Sequence, residues 1–342
     1  MTNQIAPRVG IIGFGRMGAR IALAALRGGM DVVAVLDSAP EPWGLGQVPD
    51  LAPRVTSDSD RFWAAPMDLL AVGTTADGHA PLVREGLRRG IKRFVVEKPF
   101  TQSVVEAETL IAEVAAAGGR ISVNHGRRFL AGYYKLRELD GSDLVGSLRS
   151  ITVVSGGGST GCLGTHVFDL CNFMFGGAPL RVFAGLAPND FTDPRGARFD
   201  DPGSYSVLEY AGGRRALLEM GGDTGLPSTM EFRFRHGRVV IEDESKPWRL
   251  FHRKPEDRAL PCSRYGAPLI ETVVENPGTL DIVEMSLGTL RDALSDGPQQ
   301  AGGDIGLQTM QVFAAIRASA ARGVVVALPV DDEAAATIYA IP

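Results

Sequence analysis

Cysteine is scarce in this chain: Cys162, Cys171 and Cys262 are three in number, and no two of them form a C-x-x-C pair. An odd count without paired spacing argues against a disulfide framework and against a cysteine zinc site. Histidine is sparse as well, five in 342 residues, and His166 has no second histidine at ligand spacing, so no metal centre is expected. Positive charge is not in excess, since 35 Lys and Arg against 40 Asp and Glu leave a net charge of −5. That balance carries no electrostatic footprint for nucleic acid or an anionic membrane. Arg84, Arg88, Arg89, Lys92 and Arg93 do cluster, but their spacing fits the wet face and end of a helix. Also missing is an unbroken apolar span. The apolar stretch after the first seven residues is interrupted by Arg16 and Arg20, so neither a signal peptide nor a membrane span is expected, and the cytoplasm is the expected compartment. No internal repeat, coiled coil or low-complexity tract is visible. What remains is 44% hydrophobic residues in a chain long enough for two domains.

The most informative stretch is Gly13-Phe14-Gly15-Arg16-Met17-Gly18, which follows the apolar run Val9 to Ile12 and opens the helical pattern Arg16 to Arg27. A strand, a glycine turn and a helix N-terminus form a phosphate site, because backbone N–H groups and the positive end of the helix dipole face an anion. Gly13 permits the tight turn, Gly15 lets the backbone approach a pyrophosphate, and Gly18 lets the helix pack on the strand. A second strand-like run, Asp31 to Leu36, ends in Asp37, where a Rossmann fold holds the adenosine ribose. A carboxylate there repels a 2′-phosphate, and no Lys or Arg follows until Arg54. NAD is therefore favoured over NADP.

Up to about Asn124 short apolar runs alternate with helical patterns, the signature of a parallel sheet covered on both faces. The runs are Val9 to Ile12, Val32 to Leu36, Leu69 to Val72, Arg93 to Val96 and Ile121 to Val123; the helices are Arg16 to Arg27, Ala80 to Arg89 and Val104 to Ala117. Ser38 to Arg54, with four prolines and two glycines, reads as a loop in place of the usual second helix. After a short helix at Tyr133 to Leu139 come strands in succession: Ser147 to Ser155, Leu180 to Leu186, Ser204 to Tyr210, Arg214 to Gly221, Thr229 to Arg235 and Arg238 to Glu242. Such a run implies a large, mainly antiparallel open sheet, with helices at Thr165 to Phe175 and Ile305 to Arg322. The expected division is a Rossmann α/β domain over 1–125 and an α+β domain over 126–342, whose last helix can pack back on the first. Pro188 to Pro202, rich in polar residues, reads as surface, subunit contact or substrate cover.

Two sites carry chemistry. Glu97-Lys98-Pro99 ends a strand at the carboxyl edge of the parallel sheet, where open α/β folds place ligands, and a residue before proline is held out of helical geometry. Lys98 is either a solvated strand end or a group that hydrogen bonds a substrate oxygen as it becomes an alkoxide. Further on, glycines precede a helix in which His166 and Asp169 lie three residues apart on one face. A histidine there can pass a proton, with the carboxylate fixing its tautomer, or it is a satisfied structural residue.

Together these motifs resemble the Gfo/Idh/MocA oxidoreductases. The resemblance extends to Asn124-His-Gly-Arg-Arg128-Phe129, to Gly302-Gly-Asp304-Ile-Gly-Leu and to Val326-Ala-Leu-Pro329, and so spans nearly the whole chain. It implies a nicotinamide-dependent reaction at a secondary alcohol or ketone of a sugar, cyclitol or sugar derivative, in a homodimer or homotetramer. Carried over by residue, Lys98 binds the reacting hydroxyl, His166 is the general base, and Asp169 supports it or contacts substrate. Thr165, Arg128 and Asn124 are implied for the substrate side; Thr74, Thr75, His79, Glu97 and Lys98 itself for the cofactor side. One departure is Cys162, which stands where many members carry an Asp four residues before the histidine. Two other activities fit the same resemblance: NAD-assisted sugar elimination without net redox, and a dinucleotide-binding regulator without catalysis.

Overall fold

The computed structural model describes residues 6–188, 193, 195–261, 269–274 and 280–342. Cys262, and Asp190 of the polar segment, lie outside the described residues. The first segment runs β1 (Arg8–Ile12), α1 (Arg16–Arg27), β2 (Asp31–Leu36), β3 (Val55–Thr56), α2 (Ser59–Trp63), β4 (Leu69–Val72), α3 (Ala76–Arg88), β5 (Arg93–Val96), α4 (Val104–Ala116) and β6 (Arg120–Val123). Their strands form a six-stranded sheet in the order β3-β2-β1-β4-β5-β6, with every pair parallel. Strand order reverses between β1 and β4, so the carboxyl ends of those two strands flank the crevice of a Rossmann sheet. Ser38 to Arg54 is not a plain loop. It holds two short 3₁₀ turns, Trp43–Gly46 and Pro49–Arg54, and among the described residues no α-helix stands between β2 and β3; α2 comes only after β3, its start capped by Asp58 accepting from the N–H groups of Asp60 and Arg61.

The chain continues through α5 (Ala131–Glu138), β7 (Leu148–Gly156), α6 (Gly164–Phe175), β8 (Arg181–Leu186), β9 (Ser204–Tyr210), β10 (Arg214–Gly221), β11 (Thr229–Phe234), β12 (Gly237–Ile241), β13 (Trp248–His252) and β14 (Ile270–Val274), then α7 (Ile282–Leu294), α8 (Gly303–Arg322), β15 (Val326–Ala327) and α9 (Asp332–Ala336). It divides into two compact units: one reaching to Phe129 and taking in Asp281–Met310 and Ala335–Pro342, the other Leu130–Leu280 with Gln311–Ala334. A single cut at residue 125 does not describe this division, because the chain returns after β14.

What returns is α7, a helix the apolar periodicity does not reveal. Gly288, Ser286, Thr289 and Asp292 interrupt its pattern, yet each has a packing reason. A Cβ on Gly288 would lie 2.4 Å from the Phe129 ring, and the Asp292 carboxylate accepts from Ser122 Oγ and the Gln300 N–H at 2.8 and 2.7 Å. Its Leu287, Leu290 and Ala293 join Val9, Ile11, Val32, Leu69 and the alanines of α1 in one buried cluster. Asp281 caps α7 through the N–H groups of Val283 and Glu284 and pairs with Arg27 of α1. The basic cluster near α3 resolves into ion pairs, Arg84 with Glu113, Arg88 and Arg89 with Glu85, and Arg93 with Asp296.

In the second unit a nine-stranded sheet runs β14-β13-β12-β11-β7-β10-β9-β8-β15, antiparallel except for the parallel pair β7 and β10. Its inner face is a continuous buried row across the strands, with Val182, Leu208, Ala216, Ile151, Phe232 and Val239 in register. β13, β14 and β15 are strands that the sequence pattern does not mark; each pairs with a neighbour that supplies its ladder. Among the described residues no helix is long and apolar enough to cross a membrane.

Candidate functional site

The glycine turn shows why each glycine stands where it does. Gly13 has φ +85°, and a Cβ there would lie 2.8 Å from the Gly73 carbonyl oxygen at the end of β4. At Gly18 a Cβ would lie 1.9 Å from the Gly13 carbonyl oxygen, so the first turn of α1 rests directly on the turn. Gly15 differs: a Cβ there would meet nothing within 4 Å. The protein does not need that position bare for its own packing. α1 also begins without a side-chain cap and without an acid in its first turn, leaving its N–H groups and positive dipole end to an outside anion. These residues fit the pyrophosphate of a dinucleotide.

Asp37 lies beside this turn. Its Oδ2 accepts from the Phe14 N–H at 2.6 Å and its Oδ1 from the Ala39 N–H at 2.8 Å, so the carboxylate is held at the carboxyl end of β2. Arg54, the next cation along the chain, is bound to Asp31 and to the Val32 carbonyl. Arg16 is exposed and Met17 half-buried on the first turn of α1. Phe14 needs a correction: its ring is fully buried, so only its main chain belongs to the turn.

The loop after β4 corrects a second expectation. His79 is fully buried, with Nδ1 3.2 Å from the Phe100 carbonyl and Nε2 3.1 Å from the Thr74 carbonyl, and burial pushes its pKa down. It straps that loop to the one after Pro99 and offers no face to a cofactor. Thr74 and Thr75 bond locally, to the Thr75 carbonyl and to Asp77.

Glu97 is buried, and burial pushes its carboxyl pKa up against the opposing pull of Asn124 and the nearby Lys98 and Arg20 charges. Asn124 Nδ2 donates to Glu97 Oε1 at 2.5 Å, while Asn124 Oδ1 accepts from Thr289 Oγ1 at 2.9 Å. Asn124 is thus a buried bridge between the Glu97 loop and α7, and no substrate-facing wall. Thr289 and Ser286, which no motif marks, complete this network. Lys98, one residue on, is half-buried. Arg128 is buried and donates to the Gln300 carbonyl, and His125 is pushed well below its ordinary pKa by burial and by the Arg128 and Lys98 charges.

In the second unit α6 is buried along nearly its whole length, while His166 in its first turn stays half-buried. Asp169, one turn on, is buried; burial first, and the Asp169 charge after it, push the pKa values of Cys171 and Tyr210 up. Thr165 is buried too, its hydroxyl donating to the Gly161 carbonyl at 2.8 Å, so it holds the helix start. A residue that sequence reasoning left among loop charges does more: Asp201 accepts from the Gly161 and Cys162 N–H groups at 2.6 and 2.8 Å, clamping the turn ahead of His166. Cys162 Sγ accepts from Arg195 at 3.4 Å.

Residues 7–125 match the Gfo/Idh/MocA family model, described as an oxidoreductase family with an NAD-binding Rossmann fold. Over those residues the chain is similar to the nucleotide domain of that family. Across 144 residues it is 31% identical to the uncharacterized oxidoreductase YdgJ of Escherichia coli, a match that spans 41% of this chain and about two fifths of that relative (40%). An oxidoreductase from Agrobacterium radiobacter, solved with NAD+, L-tartaric acid and magnesium, has a TM-score of 0.76 at 18% identity, covering 94% of this chain and 98% of that one. The aldose-aldose oxidoreductase of Caulobacter crescentus, solved with glycerol, has a TM-score of 0.75 at 20% identity, covering 94% and 100%. These two likenesses extend the shared fold over nearly the whole chain, and the cofactor of the family, NAD, is the one the glycine turn and Asp37 fit.

Two outcomes follow from this geometry. Gly15→Ala should fold with near-normal thermal stability and lose most of its NAD affinity, whereas Gly18→Ala should lower the melting temperature, since its Cβ collides with backbone. Calorimetric titration and melting curves check both, and equal stability of the two variants would refute the distinction. For Glu97, a carboxyl pKa raised in the folded state means that the native protein gives up stability as pH rises from the ordinary carboxylate range. Glu97→Gln keeps the acceptor for Asn124 without the charge, so its melting temperature relative to wild type should climb as pH rises from the ordinary carboxylate range of about 4. A pH-independent difference would contradict the assignment.

Proposed function

We propose that this oxidoreductase acts on a secondary alcohol or ketone of a sugar, cyclitol or sugar derivative, with NAD preferred over NADP. The observation that carries the reading is the glycine turn: open volume at Gly15 and an uncapped helix start beside a fixed Asp37 carboxylate, with Arg54 already engaged by Asp31. When bound, the nicotinamide accepts or returns a hydride at carbon. Lys98 Nζ holds the substrate oxygen by a charged hydrogen bond, and its place after the Glu97–Asn124 network fixes the backbone that aims it. The His166 imidazole takes the hydroxyl proton on oxidation and gives it back on reduction. Asp169 orients that ring from one turn further along α6.

A second copy of this chain is the proposed partner, in a homodimer or homotetramer. On the outer face of the nine-stranded sheet Phe183, Tyr205 and Leu217 are exposed, and an apolar patch of this kind marks an interface. Further along the same face, Glu231 bonds Arg233 and Arg238, so the patch ends in charge.

With NAD and a panel of sugars and cyclitols, NADH should form, faster as pH rises, because only the neutral imidazole accepts a proton. His166→Ala should lower turnover by roughly 10²- to 10⁴-fold with NAD affinity unchanged. Lys98→Ala should impair both turnover and substrate binding. Product formation without net NADH would point to the elimination reading; NAD binding without any turnover would point to the regulator. Light scattering should find an oligomer at micromolar concentration that Leu217→Glu dissociates, and a monomeric wild type would refute the interface.

A further inference from the structure

Trp43 is 52% exposed, and it is the one exposed aromatic side chain of the first unit among the described residues. An indole left in water forfeits much of its hydrophobic stabilisation, so its surroundings are informative. It opens the 3₁₀ turn Trp43–Gly46, entered through the buried Pro42 and held by the Leu45 N–H to the Pro42 carbonyl (3.0 Å) and the Val48 N–H to the Gly44 carbonyl (2.9 Å). This turn is seated on the nucleotide turn itself. The Gly44 N–H donates to the Phe14 carbonyl at 2.8 Å, and a Cβ on Gly44 would lie 2.8 Å from the Phe14 ring. On its other side Phe14 donates its N–H to Asp37. One residue, Phe14, therefore joins the Asp37 carboxylate to the platform that carries Trp43.

We propose that the Trp43 indole is a stacking surface for the adenine ring of the dinucleotide. The inference rests on NAD binding at the glycine turn and adds to it a contact for the base. Asp37 takes the ribose diol of the adenosine half, so the attached base lies near the loop that follows β2, and Trp43 is that loop's exposed aromatic. Stacking of a purine on indole needs no hydrogen-bond pattern, only a flat π-face held in place, which the hydrogen-bonded turn supplies.

The test compares two halves of the cofactor. ADP-ribose carries the adenine, the ribose and both phosphates; nicotinamide mononucleotide lacks the adenosine. In calorimetric titrations Trp43→Ala should weaken ADP-ribose and NAD by roughly 5- to 100-fold and leave nicotinamide mononucleotide unchanged. Trp43→Phe should recover most of the loss. ADP-ribose should quench the tryptophan fluorescence of the wild type, and the quench should disappear in Trp43→Ala, because Trp248 is buried in the other unit and Trp63 is half-buried against Phe62 and Arg89. Unaltered ADP-ribose affinity in Trp43→Ala would overturn the stacking role while leaving NAD binding intact, as would equal weakening of both ligands. A wild type that binds neither NAD nor ADP-ribose would remove the cofactor reading itself, and the role of Trp43 with it.

Discussion

The nucleotide side of this molecule depends on one backbone approach: the first turn of α1 comes so near the Gly13 carbonyl that a Cβ on Gly18 would sit 1.9 Å from its oxygen. That closeness sets the position of the helix start, and with it the direction in which its unsatisfied N–H groups point. Gly13 makes the same approach to Gly73 from the other side, so the ends of β1 and β4 meet at the reversal of strand order. Gly15, free of any internal contact, is the position whose missing side chain serves something outside the protein.

Around this turn, buried polar groups hold irregular backbone where regular ladders stop. His79 ties the loop after β4 to the loop after Pro99, and Asn124 ties Glu97 to α7. In the second unit Asp201 grips two successive N–H groups ahead of α6. Each holds a loop that carries a candidate functional side chain, and each would leave orphaned donors or acceptors if removed, which is costly in a buried setting. Neither the Asn124 bridge nor the Asp201 clamp stands within a motif that announces its partner.

The large sheet has two different faces. Inside, apolar residues line up in register; outside, the exposed Phe183, Tyr205 and Leu217 of β8, β9 and β10 are interspersed with charges such as the Arg181–Glu209 pair, and β11 and β12 carry the Glu231, Arg233 and Arg238 cluster.

The sequence by itself determined the elements whose signal is local: the parallel strands β1, β2, β4, β5 and β6 as short apolar runs, α1 and α4 by period and glycine stop, and the phosphate turn by the spacing of its three glycines. Local sterics and hydrogen bonding set those features, so they can be read without knowing the partner. It likewise placed Asp37 and the strands β7 to β12. Only the tertiary structure decided that α7 belongs to the first unit, because Gly288 and the polar Ser286, Thr289 and Asp292 make sense only against Phe129, Asn124 and Ser122. It alone turned His79, Asn124 and Thr165 from presumed ligand contacts into internal braces, and showed Trp43 standing exposed on the nucleotide turn. A side chain's surroundings come from residues far away in the chain, and composition and periodicity do not encode those distances.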